Sequence, residues 1–216
     1  RVKPDLFLAS TWSDPGLIQK VEEMGIPVVV CYGPLDLEQI RKNVSLMARA
    51  VGNPQGGEKV IAQMEERLQQ TEQVLAKIQE PEPVGMLVSL MSRYGGSGSL
   101  YDDLCRRAHI RNGLAEAGLK NGQPLTREAI LQADPDFFLI SLPYGEEKEA
   151  YDRFQDQFFK DPSLQAVKGY DRRVALPDRY VYDASPMAVY GIQALANGAY
   201  GRQLFELGQE PLLKGY

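Results

Sequence analysis

GEKVIAQMEERLQQTEQVLAKIQE, residues 57–80, is the stretch on which the fold turns. Val60, Ile61, Met64, Leu68, Val74, Leu75 and Ile78 recur at spacings that gather them on one stripe of an α-helix. Glu65, Glu66, Arg67, Glu72 and Lys77 fall on the other side, as in an amphipathic helix. At about 1.5 Å per residue the predicted rod is about 36 Å long, more than a small domain needs. Asn53-Pro54-Gln55-Gly56-Gly57 precedes it and Pro81-Glu82-Pro83 stops it. A surface helix of one domain, or a coiled-coil arm, would show the same period. The flanks favour a spacer between two like units. Lys3-Pro4-Asp5 leads into the apolar run Leu6-Phe7-Leu8-Ala9, and Asp134-Pro135-Asp136 leads into Phe137-Phe138-Leu139-Ile140.

Working outward, residues 5–9 read as a buried strand and Ser10-Thr11-Trp12-Ser13-Asp14-Pro15 as the loop after it. Leu17, Ile18 and Val21 mark a short helix closed at Met24-Gly25. Ile26-Pro27-Val28-Val29-Val30 is a β-branched run of the kind found in parallel strands buried on both faces. A turn at Tyr32-Gly33-Pro34 leads to a helix carrying Leu37, Ile40, Val44, Met47 and Val51. Strand, helix, strand, helix is the order of a doubly wound α/β sheet, although two strands are too few to close such a lobe. Beyond the long helix, residues 84–91 read as a strand, followed by the turn Tyr94-Gly95-Gly96-Ser97-Gly98-Ser99. That turn lacks the lysine of a P-loop, and Ser99 is expected to cap the next helix, with Asp102 and Asp103 in its first turn. Residues 100–110 are predicted helical and broken at Arg111-Asn112-Gly113. Thr126 caps a short helix, and residues 137–142 form a strand. Residues 146–160 form a helix whose apolar side is Tyr151, Phe154, Phe158 and Phe159. Residues 174–176 are a short strand and 186–207 a closing helix. The expected architecture is α/β: two doubly wound, Rossmann-like lobes joined by one long helix, with the first lobe incomplete. The expected divisions are 1–53 for the first lobe, 54–82 for the connecting helix and 83–216 for the second lobe.

Composition narrows the function. A chain of 216 residues, 44% hydrophobic and 25% charged, is that of a globular protein able to bury a sizeable core. With a net charge of −5 and no Lys/Arg block, nucleic acid is not an expected partner. No apolar run approaches the ~18 residues of a membrane span. Cys31 and Cys105, the two cysteines, fall in different predicted lobes and read as buried free thiols. His109 is the single histidine, so histidine-rich zinc clusters are ruled out, and it lies at a helix end suited to capping.

In order and spacing, these pieces resemble the helical-backbone class of substrate-binding proteins that serve ABC importers of iron complexes and cobalamin. The carriers are KPDLFLAS at 3–10, GIPVVV at 25–30 and the long helix. They continue with GGSGSLYDDLCRRAHIRN at 95–112, PLTREAILQADPDFFLIS at 124–141, LQAVKGYDRRVALPD at 164–178 and ASP at 184–186. The resemblance spans nearly the whole chain. It departs in two places. Relatives carry a further strand-helix-strand segment before the Lys-Pro-Asp strand, and they often read Ala-Gly before the Asn of the middle motif, where this chain has Ala108-His109-Ile110-Arg111-Asn112. The resemblance implies an extracytoplasmic protein, in the periplasm or lipid-anchored at the cell surface, with no catalytic residues and no intrinsic cofactor. Its ligand would be a ferric siderophore, haem or cobalamin, its partners the permease subunits. It also implies self-association through the incomplete first lobe, or a longer chain of which this one is a part.

In open α/β sheets ligands bind outside the carboxyl ends of the strands. That rule, with the resemblance, makes Trp12, Tyr32, Arg93, Tyr94, Tyr144, Tyr180 and Tyr182 the candidate ligand-binding residues. Aromatic faces and one or two arginines suit a large flat or ferric complex. The resemblance also suggests Asp183, just before Ala184-Ser185-Pro186, as the acid that docks on the permease; the same residue could cap the closing helix. Two rival readings stand: a non-transporting sensor or interaction module on this fold, and an enzyme such as a metallocluster subunit or glycosyltransferase. The cysteines lack cluster spacing, and Asp5 and Asp136 lie at the wrong strand ends for nucleotide or metal ligation.

Overall fold

A computed structural model describes residues 3–88, 91, 93–142 and 148–208, apart from the side chains of Leu142, Lys148, Ala150, Tyr151 and Phe154. The first part of the chain builds a two-stranded parallel sheet, β1 (Phe7–Ser10) and β2 (Val28–Cys31), in the register Phe7 to Val28 and Ser10 to Cys31. Helix α1 (Pro15–Glu23) connects the strands, capped by the Asp14 carboxylate, which accepts the Leu17 N–H. Helix α2 (Leu37–Ala50) follows β2, capped by Asp36. This small sheet is thinly covered. Leu8, Leu17, Met24 and Val30 are all exposed, and α1 has no buried residue.

Helix α3 is continuous over Pro54–Leu75. It therefore starts three residues before the expected 57 and ends five before 80. Pro54 sits in the first turn, where its missing N–H costs nothing, and the Asn53 side chain accepts the Gly56 N–H. Gly57 is required inside the helix by close packing: a Cβ there would stand 2.5 Å from the Ala48 Cβ of α2. The front of α3 thus lies on α2, with Arg41 paired to Glu65 at 3.0 Å. Its far end lies on α8 (Ala188–Tyr200), where the buried Gln193 amide donates to Thr71 Oγ1 at 2.9 Å and Arg67 covers the Tyr190 ring. The stripe read from sequence is the buried one: Met64 and Leu75 are fully enclosed.

The second sheet is all parallel, in the order β4 (Arg111–Asn112), β3 (Val84–Val88), β5 (Phe137–Leu142), β6 (Arg173–Pro177). Phe137, Phe138, Leu139 and Ile140 are all buried, as a strand covered on both faces requires. Each phenylalanine contributes about 1.5–3 kcal/mol by leaving water. The Pro-Asp that precedes β5 has a definite task. Asp136 accepts the Val84 N–H at 2.8 Å and its own N–H donates to the Val84 carbonyl, fixing β5 against the start of β3. Helices α4 (Leu100–Arg107), α5 (Gly113–Glu116), α6 (Arg127–Ala133) and α7 (Lys148–Phe158) complete the unit. Ser99 caps α4 and Thr126 caps α6, as read from the sequence. Arg111-Asn112, expected only as a break, pairs with Val84 and Gly85 as β4. His109 lies beyond α4 at φ 55°, its Nε2 3.2 Å from Glu72. The closing helix is shorter than 186–207, because Gly201 in the left-handed conformation ends it. Of the predicted aromatic stripe on α7, the side chains of Tyr151 and Phe154 lie outside the described residues. Phe158 and Phe159 meet edge to face over Phe138.

Candidate functional site

The carboxyl ends of β1 and β2 are bound into one rim. Thr11 Oγ1 accepts the Gly33 N–H at 2.8 Å, linking the loop after β1 to that after β2. The Asn43 side chain, reaching up from α2, accepts the Tyr32 N–H at 2.8 Å and donates to the Tyr32 carbonyl at 2.9 Å. Over this braced backbone lies the indole of Trp12, where a Cβ on Gly33 would meet it at 2.2 Å. Trp12 is 69% exposed and Tyr32 50%, so two large rings stand at the strand ends with faces open to solvent.

The ends of the second sheet are built differently. Tyr94 and Tyr182 meet edge to face with centroids 5.0 Å apart. The Tyr94 hydroxyl accepts the Tyr101 N–H and donates to the Val181 carbonyl, both at 3.2 Å. Tyr94 therefore ties the loop after β3 to the loop after β6, and burial pushes its phenol pKa up. Its hydroxyl is committed to that tie. Arg93 is exposed and its Nη1 donates to the Gly122 carbonyl at 3.3 Å. Tyr180 departs from the expectation of a ligand-facing ring. It is only 5% exposed, packed in the core with the Arg179 guanidinium 4.9 Å above its ring centroid. Tyr144 lies outside the described residues.

Asp183 is half-buried, and it does not cap the closing helix. Helix α8 starts at Ala188 with no side-chain cap, while the Asp183 carboxylate bonds with Ser185. Burial raises its pKa and the Ser185 bond partly offsets that rise. Thr11 lies in the loop that the sequence puts at the strand ends, but Asn43 does not stand out in sequence, nor does Asp178, which receives the Ser141 hydroxyl near the end of β5. A lone amide within the Ile40, Val44, Met47 stripe was the available signal for Asn43.

A buried hydrogen bond joins the helix that follows β2 to the helix that follows β3. The N–H of Leu37, at the start of α2, donates to the Asp103 carboxylate in the first turn of α4 at 3.0 Å. A separate cavity of about 260 Å³ lies between the start of α6 and the end of α7, with the Arg127–Asp161 ion pair at its wall. Among the described residues no three His, Cys, Asp or Glu side chains gather where they could hold a bare metal ion, and no helix is long and apolar enough to cross a membrane.

The family profile described as periplasmic binding protein matches residues 1–177, most of the chain. The chain belongs to the periplasmic binding protein family. This is a family of solute-binding components rather than of catalysts. Solved structures of the family share the fold. The haem-binding protein RhuT of Roseiflexus sp. RS-1, in apo form, superposes with a TM-score of 0.79 at 24% identity, over 92% of this chain and 76% of that one. A periplasmic haem-binding protein of Pseudomonas aeruginosa gives 0.73 at 22% identity, over 92% and 72%. The molybdate-binding protein MolA of Haemophilus influenzae gives 0.70 at 17%, over 92% and 66%. No curated protein matches the chain in sequence.

Proposed function

We propose that this family member is the substrate-binding component of an ABC importer, and that it captures an iron complex or cobalamin between two lobes. The lobes comprise 1–53 and 83–216, with 54–82 as the connecting helix. The carrying observation is the pair of exposed rings, Trp12 and Tyr32, held at the carboxyl ends of β1 and β2 beside the Leu37–Asp103 junction. A flat aromatic rim with exposed Arg93 suits a large conjugated or polyhydroxylated ligand carrying acidic groups. Among the candidates, haem and ferric siderophores are favoured over cobalamin. Structural neighbours described as haem-binding, and the tyrosines and arginine of the rim, support that order.

The cargo is released to permease subunits, with Asp183 supplying one acidic docking contact, in an extracytoplasmic setting such as the periplasm. The exposed Leu8, Leu17, Met24 and Val30 support association of the first lobe with a second copy, which sedimentation velocity tests. Titration with haemin, a ferric siderophore and cyanocobalamin, followed by absorption and by Trp12 fluorescence, tests the ligand reading. One of the three quenching Trp12 at micromolar concentration supports it. Binding measured by calorimetry with Trp12 emission unchanged removes Trp12 from the site, and no binding of any of the three overturns the cargo assignment.

A further inference from the structure

Asp103 is 4% exposed, yet it is a carboxylate placed between two segments far apart in sequence. One oxygen accepts the Leu37 N–H at 3.0 Å, and Arg107 Nε donates to the same oxygen at 3.0 Å. Arg106 engages the other oxygen. Leu37 is itself 1% exposed, and with Ile40 it enters the core that contains Leu100 and Leu104. The first turn of α2 is therefore seated in the second unit of the chain, while the rest of α2 runs along α3. At its start α2 has a cap of its own, because Asp36 accepts the Gln39 N–H at 2.7 Å. Asp103 supplies, from elsewhere in the chain, the acceptor for a further N–H that would otherwise be buried unpaired. The two arginines keep its charge compensated where water cannot. Neither a hydrophobic contact nor a surface ion pair would give this bond its direction.

We propose that Asp103 is a positioning residue for the lobes: its carboxylate clamps the first turn of α2 and so sets how the first lobe is seated on the second. The inference rests on the two-lobe reading of the chain.

The test uses the full chain without ligand, so its outcome is independent of which cargo binds. Hydrogen exchange by mass spectrometry is read over residues 36–40 and, as an internal reference, over β3 and β5, together with small-angle scattering. Asp103→Ala should raise exchange across 36–40 by about tenfold or more while β3 and β5 hold their protection, and should broaden the distribution of interatomic distances. Asp103→Asn keeps an acceptor for the Leu37 N–H and should restore protection to within about threefold of the native chain. Unchanged protection over 36–40 in the alanine variant would overturn the clamp. A rise shared equally by β3 and β5 would overturn it too, since Asp103 would then support the fold at large rather than the lobe junction. Failure of asparagine to rescue is the third overturning result.

Discussion

Trp12 passes over Gly33 so closely that residue 33 has room for a hydrogen and no more: a Cβ would stand 2.2 Å from Cε2 and 2.5 Å from Cδ2 of the indole. The glycine serves as a seat for the ring, not as a turn. Gly33→Ala should push the indole off the rim, shift its emission maximum and weaken ligand affinity by about tenfold or more. The backbone there needs no left-handed conformation, so stability should fall by no more than about 1 kcal/mol. Fluorescence, calorimetric titration and thermal melting read the three effects separately. Native emission and affinity in the alanine variant would mean that the ring does not depend on its seat.

Asn43 holds both backbone polar groups of Tyr32 from a side chain that is 7% exposed. Asn43→Leu would leave a donor and an acceptor short of partners at the same spot. The expected loss is about 1–3 kcal/mol in urea denaturation, with ligand affinity falling alongside. Asn43→Asp retains the acceptor and loses the donor, and should lie between.

Asp136 carries a pH signature. Burial alone would raise its pKa, but the Lys168 ammonium and the Val84 N–H hold it below the usual carboxylate range. The unfolded chain then binds this proton more readily than the folded one. Its stabilisation is therefore present above the unfolded carboxylate pKa of about 3.9 and is lost as pH falls through the lower folded value. Asp136→Asn should cost on the order of 1 kcal/mol at pH 7 and less as pH falls below the unfolded carboxylate pKa, near pH 3. Urea melts at the two pH values check it.

Asp183 has the opposite sign. Its pKa is raised, so the folded chain holds this proton longer, and the associated stabilisation fades as pH rises through the folded pKa. At pH 7 the buried charge is a cost. Asp183→Asn should raise the Tm at pH 7 and leave it unchanged near pH 3. Since the residue caps no helix, the same variant isolates docking: capture by the permease should slow at low salt while ligand affinity holds. Capture rates equal to the native protein's would end the docking role.

How much of this was legible in the sequence depends on where the controlling contact lies. Helix α3 could be read because its period is local, but its start could not: Pro54, Gly56 and Gly57 look like breakers. Pro54 is harmless in a first turn, and Gly57 is demanded by Ala48 on another helix. Strand β4 escaped notice because two residues carry no pattern and are strand only by virtue of Val84 and Gly85 beside them. Trp12 and Tyr32 stand exposed after β1 and β2, where position after a strand leads one to expect open rings. The same rule named Tyr180, whose ring the short helical turn after β6 directs into the core. Position after a strand tells which loop meets the cleft; it does not tell which way a ring in that loop turns. Asn43 was hidden for the converse reason, since its bonds to the Tyr32 backbone come from inside a helical stripe.

The two sulfur atoms have a consequence for how the chain is made. Cys105 is fully enclosed, in contact with Tyr101, and Cys31 is 8% exposed at the end of β2. Burial pushes both thiols up, so thiolate is scarce at neutral pH. Peroxides and disulfide reagents need thiolate and access, and here they meet neither. Neither sulfur is in a disulfide, so the packing around Cys31 and Cys105 draws nothing from an oxidising medium.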